Sequence, residues 1–316
     1  MPFRHAVVTG GAGFLGSHLC TALLDRGTAV TCVDDLCTSD PENVAHLTGR
    51  EGFTLSSTDV CDPFDVDPAP DLVLHFASPA SPADYLRLPL HTLETGSLGT
   101  RNALAVARRH GARFVLASTS EVYGDPRQHP QSETYWGNVN PVGPRSVYDE
   151  AKRFGEALTT AEAGVHGTDT GIVRLFNTYG PRMRGYDGRA VPTFIRQALA
   201  GEPLTVTGDG RQTRSLTYVD DTVAGVLAMA ESDLRGPVNL GNPVEMSMED
   251  LARLVIRLTG SSSPVRLIER PVDDPTVRCP DITLARGKLQ WEPRVPAEEG
   301  LARTIAWYRD RAPVPA

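Results

Sequence analysis

Short apolar runs, each followed by a stretch with helical spacing, recur along the first 180 positions of the chain. Val7, Val30, Thr54, Val73, Phe114 and Val173 mark the centres of six strand segments. Strands alternating with helices are the pattern of a parallel, doubly wound α/β sheet, because a parallel pair needs a crossover and a helix supplies it. After Asn177-Thr178-Tyr179-Gly180-Pro181 the texture changes to short elements separated by Gly and Pro. The expected division is therefore a first domain over 1–180 and a smaller α/β domain over 181–316. Ser215–Val219 and Pro237–Gly241 read as strands, with a helix near Asp220–Glu231 between them. That helix is expected to pack back onto the first domain, so that 215–241 returns to it and the boundary is interleaved. Ser247-Met248-Glu249-Asp250 carries a capping pattern that opens another helix, and Ala297–Arg311 reads as the last one.

The first strand, His5–Thr9, runs into Gly10-Gly11-Ala12-Gly13-Phe14-Leu15-Gly16 and then a helical stretch. Gly10 and Gly13 allow a tight turn and close approach to a pyrophosphate, and Gly16 allows close helix packing. The amides that open the helix, at Phe14 and Leu15, are free for phosphate oxygens. A second strand, Ala29–Val33, ends at Asp34-Asp35, about twenty residues on, where a carboxylate is expected on the adenosine ribose. An acid at Asp34 selects NAD over NADP, whose extra phosphate would meet a like charge. Asp59-Val60, after the third strand, is placed to meet the adenine.

Tyr148 and Lys152 stand four residues apart, hence on one face of a helix, with Thr119-Ser120-Glu121 upstream. An ammonium beside a phenol stabilises its anion, which makes Tyr148 a candidate general base. Of 31 basic residues only Lys152 and Lys288 are lysine. A chain that otherwise uses arginine keeps one of its two lysines at this spot, where a planar fork does not replace a compact ammonium.

At 316 residues the chain is long enough for a full core. It has no apolar run of transmembrane length, and Met1-Pro2-Phe3-Arg4 leads straight into the first strand without a charged-then-apolar leader. The cytoplasm is the expected compartment. Five cysteines, Cys20, Cys32, Cys37, Cys61 and Cys279, have no paired spacing, which argues against a disulfide framework and a zinc site. His75, inside a strand, reads as structural or near a cofactor, and no metal is expected. A net charge of −8 disfavours nucleic acid and anionic membrane as partners. One stretch runs against that balance. From Arg174 to Arg214 there are seven arginines (174, 182, 184, 189, 196, 211, 214) against Asp187, Glu202 and Asp209, a local balance of +4. Arginine forks suit phosphate and carboxylate oxygens, so a diphosphate site is expected here. Arg196 reads as a solvated helix face, whereas Arg182, Arg184, Arg189, Arg211 and Arg214 sit in glycine-rich settings that suggest ligand loops.

The chain resembles the extended short-chain dehydrogenase/reductase family, and within it the UDP-glucuronate decarboxylases. The resemblance rests on the glycine turn, Phe76–Pro82, Thr119–Pro126, Gly143–Lys152, Phe176–Met183, Asp187–Arg189, Gln212–Arg214 and Pro237–Pro243. It implies bound NAD, contacted also by Ala77, Tyr148 and Lys152, a UDP-sugar substrate, and a homodimer formed by helix pairing. It assigns Ser120, Asn177, Arg182, Arg189 and Arg214 to the nucleotide sugar. Glu121 and Arg278 are assigned to the sugar carbon C5 and its carboxylate, Arg278 lying in Asp274-Pro275-Thr276-Val277-Arg278. Asp35 stands where many relatives carry Asn.

The chemistry this implies is oxidation at C4, with Tyr148 taking the hydroxyl proton, followed by loss of carbon dioxide from the resulting β-keto acid. The enolate is stabilised through its C4 oxygen by Tyr148 and Thr119, then protonated at C5 and reduced again at C4. Three other readings compete. A 4,6-dehydratase would carry Asp-Glu after the threonine, where this chain has Ser120-Glu121. A UDP-uronate or UDP-hexose 4-epimerase shares the first oxidation but has no use for a carboxylate catalyst acting at C5, and a non-catalytic NAD sensor would be expected to lose Tyr148 or Lys152.

Overall fold

In the computed structural model, which describes residues 3–270 and 275–311, thirteen strands and nine α-helices are found. Met1, Pro2 and Asp274, at which expectations were stated, lie outside the described residues. The first half runs β1 (His5–Thr9), α1 (Phe14–Asp25), β2 (Ala29–Asp34), β3 (Phe53–Ser57), β4 (Leu72–His75), α2 (Pro82–Arg87), α3 (Pro89–Glu94), α4 (Thr100–His110) and β5 (Arg113–Thr119). There follow α5 (Ser146–His166), β6 (Thr170–Leu175), β7 (Thr178–Tyr179), α6 (Ala190–Leu199) and β8 (Leu204–Thr207). The remainder is β9 (Thr213–Ser215), β10 (Thr217–Tyr218), α7 (Val219–Ala230), β11 (Val238–Leu240), β12 (Glu245–Ser247), α8 (Met248–Thr259), β13 (Val265–Ile268) and α9 (Ala297–Arg309).

Seven strands form one parallel sheet in the order β11-β6-β5-β4-β1-β2-β3. The inner strands β1, β4 and β5 are apolar on both sides, and their residues divide by parity. Val7, Val73, Phe114 and Leu116 bury against Ala103, Leu104 and Ala107 of α4. Ala6, Val8, Leu72, Leu74 and Val115 face Leu19 and Leu23 of α1 with Val226 and Leu227 of α7. This second core continues without interruption into Phe194, Ile195, Leu204, Val206, Leu251, Val255 and Ile305 of the C-terminal elements. Burial of these side chains at about 25 cal/mol per Å² is the main drive to this arrangement.

Helix ends follow local chemistry. Gly111, Gly167 and Gly260, at φ of 65°, 68° and 66°, terminate α4, α5 and α8 in the left-handed conformation that glycine adopts at no steric cost. The Ser247 hydroxyl accepts the Asp250 amide at 3.0 Å and opens α8. The expected strand over 215–219 is split at Leu216. Thr213–Ser215 pairs antiparallel with β12, whereas Thr217–Tyr218 pairs in parallel with β7, so the segment changes partner between them. β11 lies beside β6, which brings 238–240 into the main sheet. The crossover from β3 past β1 to β4 reverses the direction of strand placement. In open α/β sheets ligands bind at the carboxyl ends of strands beside such a reversal.

Candidate active site

A cleft of about 840 Å³ lies at the carboxyl ends of the sheet strands. Gly10 follows β1, Asp34 closes β2, Asp59 and Val60 follow β3, and Ala77 follows β4. Thr119 closes β5 and Asn177 follows β6, so one cleft gathers residues far apart in sequence because every parallel strand delivers its end to the same edge.

The glycine turn is required by geometry at two positions. Gly10 has φ of 67°, and a Cβ there would lie 2.7 Å from the Ala77 amide nitrogen. A Cβ on Gly16 would lie 2.1 Å from the Gly10 carbonyl oxygen. Gly13 opens α1 with no side-chain cap, which leaves the first amides of a twelve-residue helix, at Phe14 and Leu15, facing the cleft. The Asp34 carboxylate accepts the Ala12 amide at 3.0 Å, the Leu36 amide at 2.9 Å and the Ser39 hydroxyl at 3.0 Å. Burial pushes its pKa up, and these three donors pull against that. An uncapped helix terminus beside an anchored carboxylate fits the pyrophosphate and ribose of a dinucleotide, with Asp59, Val60, Ala77, Tyr148 and Lys152 lining the same cleft. Asp34→Ala is expected to weaken NAD binding and to relax discrimination against NADP, read by titration with both nucleotides. An unchanged affinity ratio would move the specificity residue elsewhere.

The middle of the cleft holds Tyr148, Lys152 and Thr119. Burial pushes the Tyr148 phenol up to about 12, against the pull of Arg189 and of the Thr119 hydroxyl. Lys152 shares the helix face, but its Nζ donates to the Ala117 carbonyl at 3.0 Å and stands 5.8 Å from the Tyr148 ring centre. Burial lowers the ammonium to about 8. The cation whose charge pulls the phenol down is Arg189. Tyr85 stacks on Tyr148 with ring centres 5.3 Å apart and planes 11° from parallel. Tyr85 was not singled out from the sequence, and nothing in the spacing of Ser81-Pro82-Ala83-Asp84-Tyr85 announces it.

Glu121 occupies the short 3₁₀ turn Ser120–Tyr123 after β5, where its amide donates to the Thr119 hydroxyl at 3.2 Å. Its carboxylate is gripped by Arg145 at 2.6 Å and by Arg278 at 3.1 Å. Burial pushes Glu121 up, but Arg278 and Arg145 together overcome it and hold the carboxyl down at about 2. Arg278 also donates to the Ser120 carbonyl at 2.5 Å and is 1 % exposed. The direct contact with a ligand expected of Arg278 is not what this placement offers: its fork is spent behind Glu121, off the cleft wall. Arg145 is the guanidinium of the pair that lines the cleft. It lies in Gly143-Pro144-Arg145, three residues before Tyr148, and that nearness to the candidate base was the one signal in the sequence, since Glu121 stands 24 positions away.

The arginine-rich stretch separates into two groups. Arg182, Arg184, Arg189 and Arg214 line the cleft. Arg189 donates to the Ala80 carbonyl at 2.6 Å and pairs with Asp187 at 3.2 Å. Arg182 reaches back to Thr21 of α1 at 3.1 Å and to His46 at 3.2 Å, so it sits against the helix that opens at the glycine turn. The other three face elsewhere. Arg174 pairs with Glu156 at 2.7 Å, Arg196 pairs with Glu202 at 3.0 Å as a helix face, and Arg211 is exposed beside Asp209. The ligand-loop reading of Arg211 is corrected by the turn at Gly208–Gly210, where Asp209 takes the Arg211 amide at 3.0 Å and the side chain leaves the cleft. Asn177 lines the cleft with a buried Nδ2 that has no partner within the protein, a donor waiting for an acceptor.

His75 is structural. Its ring bonds the Thr9 and Thr100 hydroxyls at 2.8 and 3.2 Å, and burial lowers its pKa to about 3. Spacing gave no metal pattern, yet the fold brings Cys37 and Asp35, and also Cys61 and Asp59, to His91. Both thiols are pushed up to about 12, mainly by burial.

The sequence profile of the NAD dependent epimerase/dehydratase family matches residues 6–241. The chain is 50 % identical over 306 residues to UDP-glucuronic acid decarboxylase 1 of Xenopus tropicalis, covering 97 % of this chain and 72 % of that one. It is 47 % identical over 310 residues to UDP-glucuronic acid decarboxylase 6 of Arabidopsis thaliana, covering 98 % and 90 %. Among solved structures it is similar to a Thermotoga maritima UDP-glucose 4-epimerase with UDP-glucose, at a TM-score of 0.89, 29 % identity and coverage of 97 % and 99 %. It is also similar to a Bacillus cereus UDP-glucuronic acid 4-epimerase in complex with UDP-glucuronic acid and NAD, at 0.87 and 28 %, over 97 % and 99 %. Profile, relatives and cleft agree that the chain belongs to the NAD dependent epimerase/dehydratase family.

Proposed function

We propose that the protein is an NAD-dependent UDP-glucuronate decarboxylase that releases UDP-xylose. The observation that carries this reading is the Glu121 carboxylate clamped by Arg145 and Arg278 in the same cleft as Tyr148 and Thr119. Two guanidinium groups on one carboxylate leave this end of the cleft net positive, and Arg214 and Arg189 add to it. That field suits a sugar carboxylate. The similarity to decarboxylases over nearly the whole chain supports it further.

In this reading Tyr148 takes the proton of the sugar 4-hydroxyl, and Tyr148 with Thr119 donates hydrogen bonds to the C4 oxygen as charge develops there. The bound dinucleotide supplies reversible oxidation and reduction at C4. Arg145 faces the C5 carboxylate, and Arg278 fixes Glu121 from behind. Asn177, Arg189 and Arg214 hold the nucleotide sugar, with Arg182 nearer the cofactor end. Residues 1–180 with the return of 215–241 serve the cofactor, and the remainder of 181–316 serves the nucleotide sugar.

A homodimer is part of the proposal. Leu90 and Leu93 of α3, Leu98 beyond it and Phe154 of α5 are all exposed, an apolar face that a second copy would cover. Among the described residues no helix is long and apolar enough to cross a membrane. Five free thiols support a reducing compartment, the cytoplasm. Incubation with UDP-glucuronate and NAD is expected to yield a product lighter by one carbon dioxide on mass analysis. A product of unchanged mass would replace the reading with a 4-epimerase.

A further inference from the structure

A second cavity, of about 560 Å³, abuts the cleft. Glu121 and Arg145 line both, so their ion pair stands as a partition between the two spaces. The walls of the second cavity are mostly polar, with Asp125, Asn138, Asn140, Thr276 and Asp149 among them. Asp149 follows Tyr148 in the first turn of α5 and is 6 % exposed. Its Oδ1 is buried with no hydrogen-bond partner within the protein. A buried carboxyl oxygen without a donor is costly to keep ionised and is stable as an acid.

The decarboxylation reading, on which this inference rests, creates a demand for such an acid. When the C5 carboxylate leaves as carbon dioxide, the electron pair of the broken bond stays on the sugar as an enolate. One proton must then form the new bond at C5, and the net reaction draws it from solvent. Glu121 is a carboxyl in the cleft beside Tyr148 and Thr119, but its two arginines keep it unprotonated until about pH 2. It can orient a proton donor but has no proton of its own to give at neutral pH. We propose that Asp149 is the proton-holding residue of an inlet through the second cavity: its O–H proton passes to water oriented by the Glu121 carboxylate, that water protonates C5 to form the new C–H bond, and solvent water on the cavity side restores the proton to Asp149.

Several charges face Asp149. Glu121 comes from the 3₁₀ turn, Arg145 and Glu150 from the start of α5, and Arg278 from the segment after residue 275. Tyr85 of α2 and Tyr148 are near enough to feel its charge, and Asp125 and Arg270 share the cavity wall. Burial first, and Glu121 second, push Asp149 up to about 7, against Arg145 and Arg278. The proton is therefore present below about pH 7 and is lost as pH rises through that value, a range suited to general acid work near neutrality.

Asp149→Asn keeps the shape and removes the exchangeable proton. With UDP-glucuronate it is expected to lower turnover about tenfold to a hundredfold, while the rapid rise of reduced-nicotinamide absorbance on mixing is preserved. The steady state should then hold more reduced dinucleotide, and the solvent deuterium isotope effect on xylose formation should change. A merely structural role would slow the absorbance rise and turnover alike, and that outcome would overturn the relay. Unmodified turnover in Asp149→Asn would overturn it too. The unmodified enzyme offers a test that needs no variant: turnover should fall above about pH 7 while the absorbance rise does not. A flat profile through that range would reject the inlet. Formation of no lighter product by the unmodified enzyme would instead defeat the decarboxylase reading itself.

Discussion

Tyr148→Phe is expected to lower turnover of UDP-glucuronate by about a hundredfold or more while NAD still binds. The substitution removes only the phenol oxygen, so the stack on Tyr85 and the fit of α5 against the sheet persist. What is lost is a group able to take the 4-hydroxyl proton and then donate back to the C4 oxygen. In the free protein burial holds that phenol up to about 12, and the opposing influences are Arg189 and Thr119. Ionisation must therefore be drawn out when the cleft is filled, so the rate of the nicotinamide absorbance rise, which reports the C4 oxidation alone, should increase with pH in the unmodified enzyme and lose that limb in the variant. Stopped-flow absorbance of the nicotinamide and steady-state turnover measure the two consequences separately. Near-normal turnover would remove Tyr148 from the role of base.

Arg278→Ala is expected to cost about 3–5 kcal/mol of folding stability, the usual cost of breaking a buried ion pair from one side, and to reduce decarboxylation with it. The reason is placement: Arg278 is buried behind Glu121, shares that carboxylate with Arg145 and secures the Ser120 carbonyl at the end of β5. Glu121 sits below its unfolded pKa, so the stability it contributes is fully present above about pH 4.3 and is lost as pH falls toward about 2. Removing Arg278 should shift that acid loss to higher pH. Thermal unfolding followed across acid pH checks the sign. A variant with unchanged melting at every pH would show that the pair contributes nothing to the fold. Arg278→Lys restores charge but not the fork, and should recover only part of the effect.

What the sequence by itself determined is local. The strand positions Val7, Val30, Val73, Phe114 and Val173 were readable because a strand buried on both faces is a continuous apolar run. The glycine turn was readable because a positive φ at Gly10 and the close approach at Gly16 exclude side chains. Tyr148 and Lys152 share a helix face by simple periodicity, and Ser247 caps α8 through a bond three residues long. These features depend on neighbours along the chain, and composition records them. The tertiary structure decided whatever depends on partners far away. Arg278 and Glu121 are 157 positions apart, and only folding shows that the guanidinium is buried behind the carboxylate rather than presented to the cleft. Arg211 sat in the same glycine-rich setting in sequence as Arg189, yet the first is exposed beside Asp209 while the second lines the cleft. Arg145, Tyr85 and Asp149 acquire their roles from what the sheet edge and α5 bring against them. A side chain's charge is written in its identity, but its pKa and its reach are set by burial and by the charges that face it, and these exist only once the chain has closed on itself.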